Sequence, residues 1–225
     1  MNRLVASVVI VCSLFGLFTL IMGTAAAAGD PSYAMPVAVN PAANYLFFHH
    51  NYYVETKGVD GDCKYYDILK AFSAKGYTVI SEIRPKDVSV IDYGKKAASD
   101  VRKLLAAGVP PEKITIAGHS KGGVIVLQVA AQLDNPKISY AVLAGCGIKG
   151  QAKGYPDLGK LKGNFLSLYA ASDKVAASCG PEFLQAREGF TGKEIALDNP
   201  AGHQLFFTPV DAWLEPLSGW LQQGK

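Results

Sequence analysis

Ile114-Thr-Ile-Ala-Gly-His-Ser-Lys-Gly-Gly-Val-Ile-Val-Leu127 changes character halfway along. It is apolar and β-branched to Ala117, small and glycine-rich through Gly123, and reads as helix from Lys121 to Leu133. A short buried strand, a tight turn and a helix give that order. A lone serine, Ser120, stands at the joint, with Gly118 two residues before it and Gly122 two after.

The same alternation runs outward from this stretch. Tyr45–Phe48, Tyr77–Ile80, Ser139–Ala144, Asn164–Ala170 and Lys193–Leu197 read as further strands, six in all with Ile114–Ala117. Helices are expected over Asp62–Lys75, with Tyr65, Ile68, Leu69 and Phe72 on one face, and over Asp92–Ala107, with Ala97, Val101, Leu104 and Leu105 on one face. A last helix is expected from Thr208 as cap with Pro209 at its first position, bent or split at Pro216. Residues 29–43, with three prolines, read as an extended lead-in. Strand and helix in alternation imply a mostly parallel sheet with helices on both faces. In such sheets ligands bind beyond the carboxyl ends of the strands, where chain order reverses.

Gly118-His-Ser-Lys-Gly122 has the form Gly-x-Ser-x-Gly at a strand-to-helix joint, the pattern of a nucleophile elbow. The turn lifts the hydroxyl clear of the sheet edge, and the amide of Lys121 is free to face a developing oxyanion. A serine nucleophile needs a base. His203, in Asn199-Pro-Ala-Gly-His-Gln204, follows the last strand and falls at the same sheet edge, whereas His119 is expected to point away from Ser120 and pack beside the sheet. The base needs an orienting carboxylate. Asp173 follows the fifth strand; Asp198 and Asp211 are its rivals. The order Ser120, Asp173, His203 is the one expected of an α/β-hydrolase triad.

On Gly118-His-Ser-Lys-Gly-Gly123, Ala171-Ser-Asp173 and Gly202-His203, the chain resembles the α/β-hydrolase superfamily from Tyr45 to its final helix. More narrowly, it is similar to small exported bacterial hydrolases in His50-Asn-Tyr-Tyr-Val-Glu55, Val79-Ile-Ser-Glu-Ile-Arg-Pro85 and Gly108-Val-Pro-Pro111. The resemblance implies a serine hydrolase acting on a carboxylic ester or thioester, with no cofactor and no metal. Where the superfamily carries His-Gly, this chain has His50-Asn51. Asparagine tolerates the left-handed conformation, so the turn can survive, with the Tyr52 amide as second oxyanion donor and the Asn51 amide as the alternative. His50, Asn51 and Arg84 are candidate substrate-binding residues. Arg84 is suited to a carboxylate or phosphate, or else to a structural pair with Glu82. The Lys121 ammonium either draws anionic substrates or reaches to water. Tyr52, Tyr53, Tyr65 and Tyr66 suit an aromatic pocket wall or core packing.

Only 53 residues separate Ser120 from Asp173, and Cys146–Gly163 is the one free stretch between strands, so no large cap fits. The pocket is expected to be shallow, closed by short loops, and suited to exposed small-molecule esters. An acyltransferase or peptidase on the same triad, and a non-catalytic binding protein on the same scaffold, stay open.

The chain's 225 residues suit a single catalytic domain, residues 29–225. Arg3, the apolar run Leu4–Met22 and the alanines to Ala28 read as a signal peptide over residues 1–28, hence export to the periplasm or beyond. Membrane attachment is expected only if that segment stays uncleaved. Its removal takes away one basic and no acidic residue, leaving 21 Lys plus Arg against 19 Asp plus Glu. In a near-neutral chain without basic runs nothing suggests nucleic-acid binding, and no nucleic-acid partner is expected. A monomer is expected. Three cysteines remain: Cys63, Cys146 and Cys179, of which Cys146 and Cys179 are the expected pair if a bridge forms. Their spacing suggests no metal site.

Overall fold

The structure is a computed structural model that describes residues 33–150 and 152–223. The expected signal segment lies outside the described residues. Six strands form one sheet: β1 (Asn44–His49), β2 (Tyr77–Ile80), β3 (Ile114–His119), β4 (Ser139–Leu143), β5 (Gly163–Ala170) and β6 (Phe190–Leu197). The order across the sheet is β2-β1-β3-β4-β5-β6, and every pair is parallel. The helices are α1 (Tyr52–Lys57), α2 (Tyr65–Ala74), α3 (Val90–Ala106), α4 (Lys121–Leu133), α5 (Gly180–Phe183) and α6 (Asp211–Gln223). This all-parallel sheet, covered on both sides, is the α/β-hydrolase fold.

Alternating side chains divide the core in two. Tyr45, Phe47, Ile114, Ile116, Tyr140 and Val142 face one layer with Ala97, Val101 and Leu104 of α3 and with α4. Leu46, Phe48, Ala141, Leu143, Leu166 and Leu168 face the other with Ile68, Leu69 and Phe72 of α2 and Trp213, Leu214 and Leu217 of α6. The period of two along each strand, apolar on both faces, is what a doubly covered parallel sheet requires.

Chain order reverses between β1 and β3: β1 leads to β2 on one side, and β3 to β4 on the other. The ladder pairs His49 with Gly118, so the loops after these two strands emerge side by side. That is the switch point at which such sheets bind ligands.

Three expectations are corrected. The final helix starts at Asp211, not after a Thr208 cap. The Thr208 carbonyl instead accepts from the indole Nε1 of buried Trp213 at 2.8 Å, which fixes the entry into α6. Of the two outcomes expected at Pro216, the split does not occur: α6 runs on to Gln223 with Leu217 and Leu221 packed in the core. Burial of that apolar face outweighs one missing backbone hydrogen bond. Asn51 has φ −75° and ψ 177°, extended rather than left-handed. It stands before α1 because its side chain caps that helix, accepting from the Val54 amide at 2.9 Å.

Between β4 and β5 the described residues hold only two three-residue 3-10 turns, Ala152–Gly154 and Leu158–Lys160. A disulfide joins Cys146, just after β4, to Cys179, after β5. It is the pairing expected from the sequence. Cys63 is free and buried.

Candidate active site

Ser120 sits between β3 and α4 with φ 56° and ψ −118°, a conformation that side-chain-bearing residues rarely adopt. Holding it there costs about 1–3 kcal/mol. Its amide still extends the sheet ladder, donating to the Leu143 carbonyl at 2.9 Å. Its side chain makes no cap bond to α4, unlike most serines that precede a helix. The turn is possible only because the neighbouring backbones touch. A Cβ on Gly122 would run into the His49 carbonyl group, and one on Gly118 into the Gly122 carbonyl. These two glycines press the elbow against both the end of β1 and its own helix.

Asp173 and His203 meet at the ends of β5 and β6. The Nδ1 of His203 lies 2.8 Å from the Asp173 Oδ2, with the carboxylate buried and the imidazole 16% exposed. The other carboxylate oxygen, Oδ1, accepts from the amides of Val175 at 2.7 Å and Ala176 at 3.0 Å. Asp173 is thus locked by backbone on one side and offers a single acceptor to the imidazole on the other. That contact makes Nδ1 the protonated nitrogen of neutral His203 and leaves Nε2 as the acceptor. His203 itself lies in a 3-10 turn, Gly202–Phe207, rather than an irregular loop. Among the rivals, Asp198 ends β6's connection outside this pair, and Asp211 opens α6.

His119, the last residue of β3, is buried beside the base, with its ring centroid 4.8 Å from that of His203, and it also packs on Phe206 and Phe207. Its Nδ1 accepts from the Asn51 Nδ2 at 3.0 Å, so Asn51 links the loop after β1 to the histidine packed against His203. Burial, then the adjacent His203, push its pKa well below the ordinary histidine value, so it stays neutral.

The loop after β1 is gripped from below. His50 is buried, its Nδ1 donating to the Asn51 carbonyl at 2.8 Å and its Nε2 accepting from the Arg84 amide at 2.9 Å. Burial first, then the Arg84 charge, bring its pKa down to about 3. Arg84 is 2% exposed, with its guanidinium donating to the His50 carbonyl and, at 3.4 Å, to the Asn51 carbonyl. Its Nε lies 3.4 Å from the Glu55 Oε2. Glu82 instead pairs with Lys96 at 2.7 Å and accepts from the Tyr93 hydroxyl. The expected Glu82 pair therefore does not form: Nη2 bonds to backbone carbonyls, Nε faces Glu55, and the buried Nη1 has no hydrogen-bond partner among the described residues. The side chains of His50 and Asn51, the other candidates for substrate binding, are likewise buried and bonded internally.

Lys121 is also corrected. Its ammonium neither faces solvent nor stands ready for an anion; it lies 2.7 Å from the Glu55 Oε1 and 5.4 Å from the centroid of the Tyr52 ring, with 12% of the side chain exposed. Glu55, wholly buried as a side chain, was not singled out by sequence reasoning. Its only signal was a carboxylate one turn into a segment too short to read as a helix. Of the tyrosines, Tyr65 is core, Tyr53 packs on Phe207, and Tyr52 and Tyr66 are half-exposed.

Tyr52 and Lys121 are the first residues of α1 and α4, so their N–H groups have no acceptor within their own helices. Both open from adjacent strand ends. The arrangement thus presents a serine on a strained turn, a buried carboxylate–imidazole pair and two unspent amides at one sheet edge.

No protein-family model matches the chain, and no curated protein matches it. Solved structures do. A "predicted CIB-like hydrolase" from Thermoplasma acidophilum aligns over 82% of this chain and 89% of its own, with TM-score 0.53 and 19% identity. A lipase-esterase related protein from Clostridium acetobutylicum aligns over 84% and 97%, with TM-score 0.52 and 15% identity. The esterase domain of a Rhodothermus marinus protein aligns over 84% and 90%, with TM-score 0.51 and 18% identity. At such identities the likeness is one of fold.

Proposed function

We propose that this chain is an exported serine hydrolase that cleaves small carboxylic esters or thioesters through an acyl-enzyme. The observation that carries the reading is the Asp173–His203 pair, 2.8 Å apart, at the same sheet edge as a serine on a positive-φ turn. Esterase and hydrolase neighbours of the same fold support the reaction class.

In this mechanism His203 Nε2 takes the Ser120 hydroxyl proton as Oγ bonds to the substrate carbonyl carbon. The carbonyl oxygen becomes an oxyanion facing the amides of Tyr52 and Lys121. Asp173 holds the imidazolium that results. Collapse of the tetrahedral species breaks the bond to the leaving oxygen or sulfur, which receives the proton from Nε2. Water, deprotonated by the same nitrogen, then adds to the acyl carbon; the carbon–Oγ bond breaks, the acid leaves and Ser120 regains its proton. Short connections around the site favour a shallow pocket and small substrates. The Cys146–Cys179 bridge fits an oxidising compartment, consistent with export.

A fluorophosphonate probe tests the reading. It should label the wild-type chain at Ser120 and leave Ser120→Ala unlabelled. A matched panel of esters, thioesters and amides then separates hydrolase from peptidase. Labelling that persists in Ser120→Ala, or an intact wild-type chain that takes no probe, overturns the assignment.

A further inference from the structure

We propose that Arg84 and Glu55 are positioning residues for the oxyanion: they aim the Tyr52 amide and hold it in register with the Lys121 amide. The inference rests on the serine-hydrolase reading above and adds residues that never touch the substrate.

A trans peptide is planar, so its N–H points opposite to the carbonyl of the preceding residue. The direction of the Tyr52 N–H is therefore set by whatever holds the Asn51 carbonyl. That carbonyl accepts from the His50 Nδ1 at 2.8 Å and from the Arg84 Nη2 at 3.4 Å. The same Nη2 also donates to the His50 carbonyl, and the Arg84 amide donates to the His50 Nε2 at 2.9 Å. One arginine thus fixes two consecutive peptide planes and the tautomer of His50, which precedes them. The second donor is set in the same way. The Ser120 carbonyl accepts from the Gly123 amide at 2.8 Å and the Val124 amide at 3.2 Å, which turns the Lys121 N–H outward from α4.

Glu55 joins the two halves. Its Oε1 accepts from the Lys121 Nζ at 2.7 Å and the Asp87 amide at 2.8 Å, and its Oε2 pairs with the Arg84 Nε at 3.4 Å. The Lys121 ammonium also lies over the ring of Tyr52, the other donor residue. An ion chain therefore runs from the residue that follows the nucleophile, through Glu55, to the arginine that grips the loop after β1. The Arg84 and Glu55 side chains are fully buried, so solvent screens the chain little. Buried ion pairs are often no more stabilising than apolar packing of the same volume, so stability alone explains this one poorly. Its contacts with both donor residues give it a role in alignment.

The test uses the full chain and p-nitrophenyl acetate, with the concentration of competent sites taken from end-point fluorophosphonate labelling. Losing one oxyanion donor outright lowers kcat by about 10²–10³, so misaiming one should cost about 10–100-fold. Arg84→Met and Glu55→Gln are each expected to lower kcat per labelled site by that factor, with KM within about threefold of wild type. Lys121→Met should lose about tenfold, and Lys121→Arg, which keeps a cation on Glu55, should recover most of that loss; the factor scales from the same donor loss. If Glu55→Gln does not fold, Lys121→Met against Lys121→Arg decides, because that side chain, 12% exposed, is the least buried of the three. A lower labelled fraction or unfolding temperature with unchanged kcat per site would make the ion chain structural only and overturn the inference. A wild-type chain that takes no probe instead overturns the parent reading, which the variants do not address.

Discussion

Replacing Asp173 by asparagine changes one atom and should nearly abolish turnover. The carboxylate Oδ1 is fixed by the Val175 amide at 2.7 Å and the Ala176 amide at 3.0 Å. An asparagine must keep its carbonyl oxygen there, because its NH2 group would set a donor against two donors. At about 1 kcal/mol for each lost bond, that preference is about 2 kcal/mol, or roughly thirtyfold. The NH2 group then faces His203 Nδ1, now 2.8 Å from Oδ2. Nδ1 must become an acceptor, the ring proton moves to Nε2, and the nitrogen that should take the Ser120 proton no longer can. Losing the charge-assisted bond to the imidazolium removes a further ~1.5–3 kcal/mol. Together these give about 4 × 10²–5 × 10³ in kcat, approaching the ~10⁴ that the same change costs in a serine protease triad. The assay is p-nitrophenyl acetate turnover with thermal unfolding as control. Asp173→Asn should be at least as damaging as Asp173→Ala despite its closer shape, and Asp198→Asn should stay within about threefold of wild type, an order-of-magnitude allowance for a residue outside the pair. Turnover of Asp173→Asn within tenfold of wild type would refute the tautomer reasoning; a larger loss in Asp198→Asn would move the role to that residue.

Gly122→Ala forces a Cβ into the His49 carbonyl group, 2.6 Å from its carbon, so the elbow and β1 must separate. The expected loss is about 1–3 kcal/mol in urea unfolding, with kcat falling more than KM changes; wild-type stability would show that the contact yields. Burial keeps His49, His50 and His119 neutral, with pKa values lowered from 6.5, that of His50 to about 3. The unfolded chain therefore binds more protons below pH 6.5, and stability should fall with pH from there, by up to about 1.4 kcal/mol per unit for each histidine. For His50 that loss is complete only near pH 3; a flat profile between pH 6.5 and 4, followed by urea unfolding, would contradict it. Opening the Cys146–Cys179 bridge, which closes a loop of sequence separation 33, should cost about 3–4 kcal/mol on chain entropy. Non-reducing peptide mapping should recover that pair with Cys63 left free.

Backbone order was legible because periodicity records it. Tyr77–Ile80 and Lys121–Leu133 coincide with the observed β2 and α4, and the other strands differ by one to three residues at an end. Short elements were not. α1 spans Tyr52–Lys57 and α5 Gly180–Phe183, too few residues for a period of 3.6 to appear. The start of α6 was misread because Thr208-Pro209 is a sound local start signal that lost to a tertiary contact, the Trp213 indole on the Thr208 carbonyl. The helix continues through Pro216 for a similar reason: local propensity disfavours proline there, but packing of the helix face keeps α6 in one piece.

The positions of Ser120, Asp173 and His203 at strand ends followed from element order alone, since a parallel sheet delivers every post-strand loop to one edge. What each polar side chain bonds to did not follow, because ion partners are chosen across the sequence. Sequence proximity offers Arg84 the carboxylate of Glu82, two residues away, whereas its partner Glu55 is 29 residues distant and reaches it only because β1 and β2 lie side by side. Lys121 meets the same Glu55 from 66 residues away, through the β1–β3 pairing. Asn51 was valued for tolerance of a left-handed turn that it does not adopt; its use lies in both ends of its amide, one capping α1 and the other holding His119. A glycine in its place would keep the turn and lose both bonds. Asn51 thus offers what a glycine cannot: a side chain that ties the loop after β1 to the histidine packed against the base.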